Sequence, residues 1–293
     1  MVRPKGFGFN HQTATSNSFQ KKIEGNDVLK KAQSEFDQMV EKLQSKNVSV
    51  KVFEDLRGDL PDSIFPNNWI SHTANQLVIY PMLTENRRAE VRSDVIDFFS
   101  NELNVEAVLD YSQRVTEELF LEGTGSIIFD HSNKLAYACI SPRTDVKLLN
   151  QLCAELGYRS ITFESVDLKG GQIYHTNVML SVAEHFAVVC LESIPDLLER
   201  SLLKKSLENS GKEVIDISYR QMNQFAANAL EVAAKDGQFY YCLSKTSLDS
   251  LTPNQAERIE IYSKLLDFEI PTIENVGGGS VRCMMAGFFN YPK

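Results

Sequence analysis

The sequence predicts an α/β fold in one domain spanning residues 1–293, a five-bladed αβ-propeller of pseudo-fivefold ββαβ repeats. Three observations predict it. Five amphipathic helical stretches recur along the chain, a short strand-like run follows each, and a hairpin pattern follows each run, with a period of about fifty residues. Units of this size bury their apolar faces only against neighbours, and five of them close naturally into a ring.

The helices are expected over 26–44, 85–103, 145–157, 195–209 and 252–267. The first aligns Leu29, Ala32, Phe36, Met39, Val40 and Leu43 on one face; the third aligns Leu149, Leu152, Cys153 and Leu156 behind Thr144 or Asp145 as N-cap. The fifth opens with Thr252 before Pro253, a cap followed by the proline favoured in a first turn. The strand runs are VSVKVF, VEAVLDY, RSITFESV, EVIDIS and FEIPTIE. Hairpins are clearest in 126–140, with its Asp-His-Ser-Asn turn, and in 177–191, turning near Glu184. Weaker copies fall at 69–82, 225–243 and 280–289, the last completed by the N-terminal segment.

Composition narrows the function. The chain is 43% hydrophobic and carries a net charge of −9, which disfavours nucleic acid and anionic membrane as partners. No apolar run is long enough to span a bilayer, and the opening residues lack a secretory apolar core, so a cytoplasmic protein is expected. Five widely separated cysteines argue against a disulfide framework. Cys139, Cys153, Cys190 and Cys242 read as small core residues. His72, His131 and His185 read as turn or surface residues, and Trp69 as pocket wall or core. Neither a C-x-x-C pair nor H-E-x-x-H is present, and neither glycine-rich stretch fits a phosphate loop, so neither a metal nor a cofactor is expected.

Polar residues gather at one recurring place, between lone strand and hairpin. Asn67 and Asn68, Glu122, His175, Asn223 and Gln224, and Cys283 occupy it in turn, at steps of 54, 53, 49 and 59 residues. Equivalent points of each unit would meet around one axis. A carboxylate, an imidazole, a thiol and several amides converging there are the parts of a cysteine-nucleophile site with acid–base help.

These residues also resemble a family. Leu121-Glu122-Gly123, Tyr174-His175-Thr176-Asn177 and the glycine run ending in Cys283-Met284 resemble the catalytic stretches of the guanidino-group modifying superfamily, the penteins: arginine deiminases, dimethylarginine hydrolases and amidinotransferases. FPNNW, residues 65–69, stands where that superfamily has an F-T-R-D-like substrate-binding stretch, and ISPRTD, residues 140–145, is similar to its S-x-R-T motif. VRPKGFGFNHQTATSNSFQ and FAANALEV are similar to a bacterial amidinotransferase-like branch of citrulline hydrolases.

The resemblance implies Cys283 as nucleophile, His175 as acid and base, and Glu122 orienting His175 or holding a substrate nitrogen. It implies that Arg143 grips a substrate carboxylate, with Asn67, Asn68, Asn177 and Gln224 as substrate contacts. Where arginine-processing members place aspartates, this chain has Asn68, Gly125 or Ser126, and Asn177. Asparagine suits a neutral ureido group better than a buried cation. The expected reaction is citrulline to ornithine and carbamate. Arginine deiminase, dimethylarginine or succinylarginine hydrolase, and amidinotransferase activities stand as alternatives, as does a propeller that only binds other molecules. The partner expected is a small amino acid; homo-oligomerisation stays open.

Overall fold

In a computed structural model, residues 1–23, 27–73, 75–102 and 105–288 are described. Four sheets repeat one plan: an antiparallel hairpin, then a helical crossover, then a third strand parallel to the second hairpin strand. Parallel neighbours need such a crossover, because a tight turn reverses the chain.

The first of these sheets joins Ile70–Thr73 and Gln76–Ile79 to Ala107–Asp110, with Ile70 opposite Ile79. The second joins Ile128–Asp130 and Leu135–Cys139 to Arg159–Phe163. Leu180–Val182 and Phe186–Val189 pair with Glu213–Asp216 in the third, and Leu230–Ala233 and Phe239–Ser244 with Lys264–Phe268 in the fourth. A two-stranded parallel sheet, Val2–Arg3 with Phe53–Glu54, flanks the crossover helix Val28–Ser45.

Local chemistry fixes the helices. Asp145 accepts the Leu148 N–H at 2.8 Å to start Val146–Leu156, which Gly157 ends in a left-handed conformation. Thr252 and Gln255 form a capping box around Pro253 at the start of Pro253–Glu260. Ala32, Phe36, Met39 and Leu43 of the first helix are buried and share a cluster with Phe268 and Ile270.

Several expectations are corrected. The stretch 85–103 divides into Glu85–Arg88 and Ser93–Glu102, because the buried Arg87 side chain is drawn inward by Glu90 and Asn68. The fifth helix stops at Glu260: Leu265 and Leu266 prolong its apolar spacing, but Lys264–Phe268 alternates in burial and pairs as a strand. FEIPTIE therefore contributes only Phe268 to a strand; from Ile273 to Gly277 the chain forms a π-helical turn. Around 280–289, Val281–Met284 is a 3₁₀ turn and 285–288 carries no strand, while residue 289 lies outside the described residues. His72 is buried in strand Ile70–Thr73 with its ring 5.7 Å from that of Phe288. Trp69 is core, packed among Ile70, Leu77 and Ile79.

What the fold does for function happens at the turns before each hairpin. Pro66–Asn68, Gly123–Ser126, Thr176–Val178 and Val281–Met284 are short helical turns, and Gly123–Ser126 packs against both Pro66–Asn68 and Thr176–Val178. Pro66–Asn68 in turn packs against Val281–Met284.

Candidate active site

These turns line a small cavity bounded by Thr13, Asp62, Asn68, Arg87, His175 and Cys283.

Glu122 is fully buried and surrounded by donors. Its Oε1 accepts the Leu83 N–H at 3.0 Å, while Oε2 accepts from Arg143 at 3.1 Å and lies 2.7 Å from His175 Nε2. Burial pushes its carboxyl up, yet Arg143 and the His175 hydrogen bond outweigh burial and hold it well below the usual carboxylate range. An ionised carboxylate only accepts, so Nε2 of His175 carries the proton and Nδ1 keeps its lone pair. Burial pushes the His175 imidazole down to about 4, with Glu122 opposing only in part. The ring is therefore neutral at pH 7 and ready to take a proton at Nδ1.

This sets a pH profile. Since the folded imidazole lies below its ordinary value, it gains a proton only as pH falls to about 4; activity should hold to pH 5 and then drop about tenfold per unit below 4. An acid limb centred near 6.5 in a kcat/KM profile would contradict a buried, Glu122-bound ring.

Cys283 is buried in Val281–Met284, and its sulfur accepts from two amides, Asn177 Nδ2 at 3.4 Å and Asn228 Nδ2 at 3.3 Å. Both donors fix the sulfur at the cavity wall, with His175 in the same lining. Arg282, buried next to it, donates to the Met285 carbonyl, and burial pushes its guanidinium down to about 10 while the charge of Cys283 opposes that. The glycine run presents this turn. Gly278 has φ +65°, and a Cβ there would lie 2.6 Å from Gln20. Gly125 is needed for another reason: a Cβ on it would stand 2.3 Å from Asn68 Nδ2 and 2.8 Å from His175 Nδ1.

Of the residues singled out from sequence, Asn68, Arg143, His175 and Cys283 line the cavity. Glu122 stands behind His175. Asn177 stands against the sulfur. Gln224 is exposed, beyond the short helix Tyr219–Met222, and its place is taken by Asn228. The spacing carried that signal: with Asn228 the steps from Asn68 become 54, 53, 53 and 55 residues. Asn67 is buried but lies outside the cavity lining; Thr124 donates to its carbonyl, and among the described residues neither amide atom of its side chain has a partner. Arg143, in the cavity lining, is held in place by its neighbours. Its donors go to Glu122, to Ser16 Oγ at 2.6 Å and to the Thr13 carbonyl at 3.3 Å, with the Tyr174 ring 5.0 Å below. Gln224→Ala should leave kcat/KM within about twofold, whereas Asn228→Ala should lower it about 10- to 100-fold by removing a donor from the reacting sulfur. Equal effects of the two in steady-state kinetics would contradict this assignment.

Sequence reasoning missed three charged residues. Asp62 is buried, with Oδ2 accepting from Asn10 at 2.7 Å and Thr13 at 3.1 Å, and Oδ1 has no partner among the described residues. Arg87 and Glu90 form a buried pair at 2.8 Å beside Asn68. Among the described residues no group of three metal-ligating side chains could hold an ion.

The fold together with a thiol, a carboxylate-bound imidazole and paired amides defines a hydrolase of the class that cleaves C–N bonds of guanidino groups. The family model for N,N dimethylarginine dimethylhydrolase, eukaryotic, matches residues 3–290, and the chain belongs to that family within the guanidino-modifying superfamily. Among solved structures it is similar to apo ArgZ, an arginine dihydrolase from the ornithine-ammonia cycle in cyanobacteria, with a TM-score of 0.76 and 14% identity over 97% of this chain. The chain spans 39% of that longer protein and 94% of its N-terminal domain, the latter solved covalently bound to a reaction intermediate and matching with a TM-score of 0.75 and 14% identity over 97% of this chain. A dimethylarginine dimethylaminohydrolase adduct with S-methyl-L-thiocitrulline matches at a TM-score of 0.65 and 16% identity, covering 97% of this chain and 96% of that one. At such identities the likeness shows a shared mixed α/β fold. Comparison with curated proteins found no significant sequence match.

Proposed function

We propose that the chain hydrolyses the guanidinium of an arginine-type amino acid through a covalent Cys283 intermediate, and carries the ureido product on to the amine. Citrulline-to-ornithine cleavage is then the second half of one reaction. The observation that carries this reading is Cys283 sulfur held by the Asn177 and Asn228 amides in the same cavity as a neutral His175.

In the first half, the Cys283 thiol gives its proton to Nδ1 of His175, the sulfur attacks the guanidinium carbon, a C–S bond forms, and one C–N bond breaks as the departing nitrogen takes that proton from Nδ1. Water then gives its proton to Nδ1 and attacks the same carbon, and the C–S bond breaks to leave a ureido group. A second attack on the ureido carbon and a second hydrolysis give the amine with carbamate, which falls to ammonia and carbon dioxide. Asp62 supports the first half: it lines the cavity, and its buried Oδ1, without a partner among the described residues, is an acceptor for a substrate N–H. The Asn68 amide supports the second half, because its N–H donates to a ureido oxygen that a carboxylate would repel. Arg143 serves in this reading by holding Glu122. The five sheets read as the blades of a propeller around the cavity, and five free thiols suit a reducing, cytoplasmic setting.

Purified protein given arginine, dimethylarginine, succinylarginine and citrulline in parallel, with Cys283→Ala as blank, tests it by mass spectrometry of products. Ornithine from both arginine and citrulline is expected. Arginine stopping at citrulline would sink the second half, and no product from any substrate would sink the reading.

A further inference from the structure

Asn68 has two chemically distinct ends, and the structure fixes which one meets Arg87. Its Oδ1 accepts from Arg87 Nη1 at 2.6 Å, and its Nδ2 donates one N–H to the Glu122 carbonyl at 3.5 Å, leaving the other for a ligand. A guanidinium has donors and no acceptor, so the amide must turn its oxygen to Arg87. Arg87 cannot swing away. Its Nε and Nη2 meet the two Glu90 oxygens at 2.9 and 2.8 Å, and Nη2 also donates to the Phe65 carbonyl at 3.0 Å. Both side chains of this pair are buried, in the turn that interrupts the expected long helix at 85–103.

We propose that the Glu90–Arg87 pair is a positioning device that locks the Asn68 amide with its NH2 toward the substrate, creating a subsite that only donates. A donor-only subsite receives a ureido oxygen, while a guanidinium N–H of the first stage has its acceptor elsewhere in the cavity, at the unpartnered Asp62 Oδ1. The pair thus governs how far the reaction runs: with the amide locked, the ureido stage is retained and cleaved; with the amide free to turn, it is released. This rests on the two-stage reading above.

The test replaces the pair without leaving a lone buried charge, as Arg87→Met with Glu90→Met, alongside Arg87→Lys, which restores a donor-only cation. From arginine, the double variant should shift the citrulline-to-ornithine product ratio about tenfold toward citrulline, the worth of one hydrogen bond, and Arg87→Lys should return most of it. A ratio unchanged while both stages slow alike would reduce the pair to a structural role and overturn the proposal. Neutron diffraction from the free protein reads the amide directly: deuterium on the Asn68 atom facing away from Arg87 is expected, and deuterium on the atom facing Arg87 overturns the proposal. That result decides the orientation even where neither substrate is turned over, an outcome that would count against the two-stage reading alone.

Discussion

Cys283→Ala is expected to lower turnover by at least about 10⁴-fold while the melting temperature moves only a few degrees. The substitution removes one atom, the sulfur that attacks, and nothing else in the cavity can replace it as nucleophile. The other four cysteines are buried, and burial pushes each of those thiols up, to about 12 or beyond. They are core side chains, and none lines the cavity. The fold should tolerate the change because a single small buried side chain is shortened, at about 1 kcal/mol for the lost contacts. Asn177 Nδ2 then loses a weak N–H···S contact, while Asn228 Nδ2 keeps the Asn177 carbonyl at 3.1 Å, so the loss is modest. Residual turnover above about one per cent of wild type in a coupled ammonia assay would remove Cys283 from the chemistry.

The second large effect is expected at Glu122→Gln. Every group around this carboxylate is a donor: the Leu83 N–H, the Arg143 guanidinium and His175 Nε2. Glutamine must point its own NH2 at one of them. The cheapest relief is for His175 to give up its Nε2 proton and carry one on Nδ1 instead, which removes the lone pair facing the reaction. The rate should fall about 10²- to 10⁴-fold, as general acid–base help is lost. Arg143, buried and fixed to Ser16 and Thr13, loses its carboxylate partner too, and an uncompensated buried charge costs about 3–5 kcal/mol. Kinetics and denaturant unfolding of the same variant separate the two effects. A loss of less than about tenfold in kcat would mean that Glu122 does not set the tautomer.

How much of this was legible in the sequence depends on the range of the contacts involved. The hairpin turning at Asp130-His131-Ser132-Asn133 and the helix capped by Asp145 were readable, because turn chemistry and capping act within four residues. Glu122, His175 and Cys283 were readable from motif resemblance and from their even spacing, and the structure brings His175 and Cys283 to the cavity with Glu122 behind His175. What failed was non-local. Nothing near Asp62 in LPDSIFPNN announces its contacts, which come from Asn10 and Thr13 about fifty residues away. The break near Arg88 follows from Arg87 reaching back to Asn68, and the overrun of the fifth helix from Leu265 and Leu266 fitting either period. Gln224 marks the place in the sequence pattern and Asn228 fills it in the structure, because the positive φ of Phe225 and the turn it makes cannot be seen in composition.

The central claim is a covalent intermediate on Cys283, and the most direct measurement is intact-protein mass spectrometry of the enzyme quenched during turnover of isotopically labelled arginine. The account predicts a labelled adduct that peptide mapping places on Cys283, absent in Cys283→Ala and more abundant when His175 is replaced by asparagine. Product formation with no adduct on Cys283, or with the label on one of the other four cysteines, would contradict it.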